Sequence, residues 1–213
     1  MEKMDKCKDL EKMVLEKGYP EAKVISADKV VVEDRVRLKC IVGCPHYGQG
    51  LRCPPYTPDI DEFRKMLNDY KFAMVIKIKP QEIPDEVTAK YKLEKDEKEQ
   101  VKLRDQYEDA DKMSSSVWSD FADYYKKSLL DLLDLESAAF NLGYTFATVF
   151  FAGRCMLCEK CNVKEGICRN PVISRFSAES MGINLLKTAE NAGMNLKFDP
   201  DSVPTPMAIL LVD

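Results

Sequence analysis

The chain has 213 residues, 45% of them hydrophobic and 32% charged, with a formal net charge of -4. That is enough apolar material for a core within one domain, and the net negative charge lacks the positive field that nucleic acid or an anionic membrane surface requires, so neither is an expected partner. No stretch approaches the roughly 18 consecutive apolar residues of a spanning helix, and the lysine- and glutamate-rich N-terminus has no apolar signal core, so a cytoplasmic location is expected. In that compartment eight cysteines point to metal or redox chemistry rather than to disulfides.

In chain order, the helical spacing of Met4, Cys7, Leu10, Met13 and Val14 predicts a helix over 4–17, with Gly18 as its stop. Branched residues predict extended segments at 22–26 and 30–36. A loop follows that holds Cys40, Cys44 and Cys53 among Pro45, Pro54, Pro55 and Pro58. Asp59 caps a helix whose apolar face includes Ile60, Phe63, Met66 and Leu67, and 72–78 reads as a buried strand. The interleaved charges of 85–112 cannot bury much surface and mark a solvated helical insertion, or else a docking arm. A long helix then carries Trp118, Phe121, Tyr125, Leu129, Leu132 and Ala139 as one core-facing stripe.

The first order of elements then returns: a strand at 144–151, a cysteine loop at 153–168, a largely helical stretch at 178–191 and a strand at 207–212. Gly182 interrupts the helical stretch, Ser177 and Asn184 cap its two pieces, and Gly193 ends it. The expected fold is an α/β sandwich made of two similar strand–cysteine loop–helix–strand halves with a charged helical insertion. As domains, 1–213 form a single metal-binding unit, with an N-terminal half over 1–80, the insertion at 85–112 and a C-terminal half over 113–213.

Cys155, Cys158 and Cys161 are spaced CxxCxxC, which wraps a short loop around a cubane so that thiolates reach different irons while backbone amides point at sulfides. Cys168 follows after a longer gap than bacterial ferredoxins leave before their fourth cysteine. Arg154, Lys160, Lys164, Arg169 and Arg175 favour an anionic four-thiolate group there, and Phe150 and Phe151 can shield it from water. Structural zinc is the competing reading, since four cysteines also make a tetrahedral site.

The N-terminal loop offers three thiolates, Cys40, Cys44 and Cys53, in a proline-stiffened frame. Three thiolates leave one coordination position open to a substrate atom, sulfide or water, unless Cys168 crosses over from the second loop. Cys7, on the apolar face of the first helix, reads as a packed hydrophobe before it reads as a ligand. His46, the sole histidine, lies too near Cys44 in sequence for an easy shared metal.

At these loops the sequence resembles the "predicted metal-binding protein" family, domain of unknown function 2284, found mainly in anaerobic archaea and bacteria. The resemblance rests on CPHYGQGLRCPPYTP at 44–58, GRCMLCEKC at 153–161, CRNP at 168–171 and SAESMGI at 177–183. It implies metal ligation by Cys44, Cys53, Cys155, Cys158, Cys161 and Cys168, and less firmly by Cys40; His46 is outside the implied pattern.

Phosphate-cradling GxxxxGK, dinucleotide-binding GxGxxG and zinc-protease HExxH are absent, and no spacing supports paired-carboxylate or Ser-His catalysis. The gap between Cys44 and Cys53 also fails the CxxxCxxC spacing of S-adenosylmethionine radical chemistry. Three readings remain. The first is a redox protein with one or two [4Fe-4S] clusters serving a partner in an anaerobe. The second is an enzyme using an open-site three-cysteine cluster for sulfur transfer or reductive chemistry. The third is a zinc-stabilised interaction module. The redox reading is preferred.

Overall fold

Each half of the chain begins with an amphipathic helix that leads into a strand, and a computed structural model shows how the two are joined. The structure describes residues 2–44, 46–79, 115–194 and 206–213, with side chains over 6–44, 46–79, 122–194 and 206–213. The charged insertion expected at 85–112, the ring of Pro45 and the side chains of Met4, Trp118 and Phe121 lie outside the described residues. Among the described residues no helix is long and apolar enough to cross a membrane.

The described helices are α1 (Glu2–Glu16), α2 (Asp34–Gly43), α3 (Ile60–Leu67), α4 (Ser115–Asn141) and α5 (Leu185–Asn191). The strands are β1 (Glu21–Ser26), β2 (Phe72–Lys77), β3 (Thr148–Phe151) and β4 (Met207–Val212), in one sheet of order β1-β2-β4-β3 with every neighbouring pair antiparallel. The order is symmetric about β2–β4, where Met74 faces Leu210 and Val75 faces Ile209. The fold is α/β, and the repeated element order of the two halves appears as these two mirrored strand pairs.

Helices cover both faces of the sheet. Leu10 and Val14 of α1 and Leu129, Leu132 and Leu135 of α4 pack on the face carrying Met74, Ile76 and Leu210. Phe63 of α3 and Leu185 and Ala189 of α5 pack on the face carrying Ala73, Val75 and Ile209. Because both faces are buried, β2 and β4 read as continuous apolar runs rather than as alternating strands. All six residues of β4 are buried.

The helix caps follow local chemistry. Asp59 starts α3, with its backbone N–H donating to Glu62 Oε2 at 3.1 Å, and Asn184 Oδ1 accepts from Lys187 N at 3.1 Å at the start of α5. Ser177 Oγ accepts from Ser180 N at 3.1 Å at a 3-10 turn, Glu179–Met181, which Gly182 ends in the left-handed region at φ +76°.

Two expectations are corrected. The segment 30–36 is not a strand: Val32 makes one isolated bridge to Ile183, Val31 N donates to Thr188 Oγ1 at 3.0 Å, and helix α2 begins at Asp34. The valines pair with the loop before α5 instead of with the sheet, so the extended piece stops once that short partner ends. Cys40 accordingly sits in the last turn of α2, not in a loop. The strand expected at 144–151 is confined to β3, because Tyr144 turns into the core under α1.

Glu33 ties the start of α2 to the second half. Its carboxylate accepts from Arg35 Nε at 2.9 Å, Lys187 Nζ at 2.7 Å and Asn184 Nδ2 at 2.9 Å, while its N–H donates to Gly182 O at 2.8 Å. The hydrogen bonds from Arg35, then Lys187 and Asn184, hold this carboxyl well below the usual range, at about 2. A depressed carboxyl contributes stability above its unfolded pKa of about 4.3, which is lost as pH falls toward the folded value. Acid titration of stability is therefore expected to be steeper for the wild type than for Glu33→Gln between about pH 4 and pH 2, read by urea unfolding at each pH. A Cβ at Gly182 would lie 3.1 Å from Ile60 Cδ1 in addition to its positive φ. Gly182→Ala is expected to cost about 1–3 kcal/mol, measured as a lowered urea midpoint.

Candidate metal centre

The N-terminal cysteine loop hangs from the end of α2. Cys40 lies in its final turn, Cys44 follows as its C-cap, and Cys53 comes after a run of turns in which Tyr47 N donates to Cys44 O at 3.2 Å, Gly48 N to Pro54 O at 3.0 Å and Cys53 N to Gly50 O at 3.0 Å. The Pro54–Pro55 peptide bond is cis. Arg37 closes the loop by donating to Thr57 Oγ1 and, at 3.1 Å, to Pro58 O. α2 packs against the 3-10 turn at 179–181, which sets the loop beside the second one.

The C-terminal loop leaves the sheet directly after β3. Phe151, at the end of β3, stacks on Tyr125 of α4 with ring centroids 4.9 Å apart, and Tyr125 donates its hydroxyl to the Cys155 sulfur. Phe150 points to the opposite face of the sheet, edge-on to Phe63 at 5.5 Å. Only Phe151 of the two expected shields therefore lies beneath the loop. The loop returns to α4 through a bidentate pair: Arg175 Nε donates to Glu136 Oε1 at 2.8 Å and Arg175 Nη2 to Glu136 Oε2 at 2.5 Å. Glu136 Oε1 also accepts from Val149 N at 2.7 Å, so one carboxylate fixes both β3 and the loop. Arg175, expected as a cation facing the thiols, is instead committed to this clamp. Lys160 contributes its carbonyl, which accepts from Arg169 Nη1 at 2.7 Å.

Every thiol of the second loop accepts a hydrogen bond. Cys155 receives the Tyr125 hydroxyl and the Leu157 N–H. Cys158 Sγ receives Asn170 Nδ2 at 3.1 Å, and Cys161 Sγ receives Leu51 N at 3.4 Å. Cys168 Sγ lies 3.4 Å from Ser174 Oγ, in a contact where either group can donate, and Ser174 Oγ accepts from Arg52 Nε at 2.8 Å. The Asn170 N–H and the Arg52 side chain also reach Cys168.

These contacts set the thiol electrostatics. Burial pushes Cys53 up to about 11, against the opposing Cys155 N–H. Burial also raises Cys155 and, with Cys44 and Glu179 adding repulsion, Cys40. At Cys168 burial is outweighed by Ser174, the Asn170 N–H and Arg52, and the thiol is drawn below its ordinary value. Arg154 is desolvated beside Cys53, Cys44 and Cys155, which lowers it, while those sulfurs oppose the change. Glu179 accepts from Gly153 N at 3.1 Å and burial raises its pKa.

Six of the seven candidate ligands thus occupy two adjoining loops, with Cys40 in the last turn of α2 and Cys53 next to Cys155 at the junction. Cys7 is elsewhere: it is 1% exposed in the core between α1 and the sheet, where its Sγ donates to Tyr144 Oη at 3.3 Å. His46 stands in the turn after Cys44, its carbonyl accepting from Gln49 N at 3.0 Å. Among the described residues no three His, Cys, Asp or Glu side chains converge closely enough to hold a single metal ion. The fit to a metal group here rests on the donor set: half-buried thiols ringed by N–H and O–H donors and two arginines suit a thiolate-bound, anionic metal centre.

The family model for a predicted metal-binding protein, domain of unknown function 2284, matches residues 23–212. The chain belongs to this family. No curated protein and no solved structure matches it. The match starts within β1 and ends within β4, so this metal-binding family spans the whole sheet together with both cysteine loops.

Spacing alone missed Tyr125, Asn170, Ser174 and Arg52 as neighbours of the thiols. Tyr125 reads as one more member of the core stripe on α4, and only its place opposite Cys155 separates it from that stripe. Asn170 and Arg52 lie inside the CRNP and CPHYGQGLRCPPYTP stretches, where a polar residue beside a cysteine is the available signal.

Glu136 and Arg175 are 13% and 21% exposed. Removing one partner of a buried pair strands the other charge. With partial exposure discounted, Glu136→Ala is expected to cost about 2–4 kcal/mol, and Glu136→Ala combined with Arg175→Met less than the sum of the two, as read by a urea-unfolding double-mutant cycle.

Proposed function

We propose that this metal-binding protein is an iron-sulfur protein in which Cys155, Cys158, Cys161 and Cys168 hold a [4Fe-4S] cluster used for one-electron exchange with a partner protein. The observation that carries the reading is the hydrogen bond received by each of the four sulfurs: Cys155 from Tyr125 and Leu157, Cys158 from the Asn170 side chain, Cys161 from Leu51 and Cys168 from the Asn170 N–H. Donors aimed at cysteine sulfur stabilise added negative charge, and hydrogen bonding to the sulfurs is one of the levers that sets a cluster's potential. When bound, such a group supplies reversible one-electron storage. The chain's own part is to anchor the loop through Glu136 and Arg175, to exclude water with the Tyr125–Phe151 stack, and to direct N–H and O–H groups at the sulfurs.

Cys40, Cys44 and Cys53 offer a second set of three thiol donors, with Arg154 beside Cys44 and Cys53. A cluster bound through those three thiols would keep one iron free of protein thiolate, open to an external sulfur or oxygen ligand.

Anaerobic purification with iron, acid-labile sulfide and zinc analysis tests the reading. About four irons and four sulfides per chain are expected for one cubane, or about eight for two, with an electron paramagnetic resonance signal on dithionite reduction that Cys158→Ala abolishes or alters. Stoichiometric zinc without labile sulfide overturns it.

A further inference from the structure

Each cysteine loop furnishes polar groups to the thiols of the other. From the three-cysteine loop, Leu51 N donates to Cys161 Sγ at 3.4 Å, and Arg52 donates to Ser174 Oγ at 2.8 Å, which places its charge beside Cys168. From the four-cysteine loop, the Cys155 N–H donates to Cys53, and Arg154 faces Cys44 and Cys53. Arg52 is fixed rather than waving in solvent: its guanidinium lies 5.2 Å from the centroid of the Phe176 ring, and Leu51 beside it is buried. A planar guanidinium that is both stacked and hydrogen-bonded keeps its direction at small entropic cost.

From this cross-supply we infer that Arg52 and the Leu51 N–H, borne by the N-terminal loop, set the reduction potential of the group held by Cys155, Cys158, Cys161 and Cys168. The inference rests on the iron-sulfur reading above and deepens it. A cation and an N–H beside metal-bound sulfur favour the more negative, reduced state, so both raise the potential. Arg52 is a positioning residue in this scheme: it acts on the sulfurs through Ser174 and its own charge.

The test uses the full chain, reconstituted anaerobically with iron and sulfide, in wild-type, Arg52→Met and Arg52→Lys forms. Iron and sulfide are assayed first, and the midpoint potential is then read by dithionite titration followed by electron paramagnetic resonance. The expected result is a more negative midpoint in Arg52→Met and an intermediate one in Arg52→Lys. Equal midpoints in wild type and in the loaded Arg52 variants overturn the inference. If Arg52→Met loads no iron, Arg52→Lys decides alone by the same criterion. A wild type without iron or labile sulfide refutes the iron-sulfur reading itself, whereas a loaded wild type with unmoved midpoints refutes only the role of Arg52.

Discussion

The antiparallel pairing of β2 with β4 is the constraint on which the rest of the molecule depends. It joins a strand of the first half to a strand of the second across six residue pairs, from Phe72 with Val212 to Lys77 with Met207. Both strands are buried on both faces, by α1 and α4 on one side and α3 and α5 on the other. Burial of that much branched and aliphatic surface, at about 25 cal/mol per Å² of apolar area, fixes the halves rigidly against each other. Without this seam the two cysteine loops would belong to separate units of the chain. With it, they have a defined position relative to one another.

The loops then repeat the logic at smaller scale. α2 buries none of its residues fully, yet it is held at its start by the bonds of Glu33 to Arg35, Lys187 and Asn184, and one turn on by Arg37, which donates to Pro58 O. The second loop is held by one carboxylate, Glu136, which satisfies Arg175 and a backbone N–H of β3 together. Such polar anchors are geometrically more exacting than apolar packing, and they fix loops that have little core of their own. The cost of gathering thiols in half-buried surroundings shows in the raised pKa values of Cys40, Cys53 and Cys155. Metal binding must displace those protons, so it is coupled to pH as well as to the folding of the loops.

Much of the architecture was legible from local pattern. The apolar spacing of α1, α3 and α4, the continuous apolar runs of β2 and β4, and the caps at Asp59, Ser177 and Asn184 are properties of windows of about ten residues, and they survive folding except at Met13 and Met66, which the expected faces of α1 and α3 included and which lie exposed. The valine-rich piece before α2 misled because β-branched residues indicate an extended chain without saying what pairs with it. Its partner is the loop before α5, more than a hundred positions away. The two phenylalanines after Val149 likewise look equivalent in sequence, but the period of a strand sends Phe150 to one face and Phe151 to the other.

By itself, the sequence determined the inventory of this protein: an α/β fold from repeated element order, and seven clustered cysteines as candidate metal ligands from spacing and family resemblance. Thiol chemistry and short-range periodicity are local, so one dimension suffices to show them. Only the tertiary structure decided that Arg175 serves Glu136 rather than the thiols, and that Leu51 and Arg52 reach Cys161 and Ser174. Those assignments depend on contacts between residues far apart in the chain, and no local pattern encodes a distance that only the closed sheet creates.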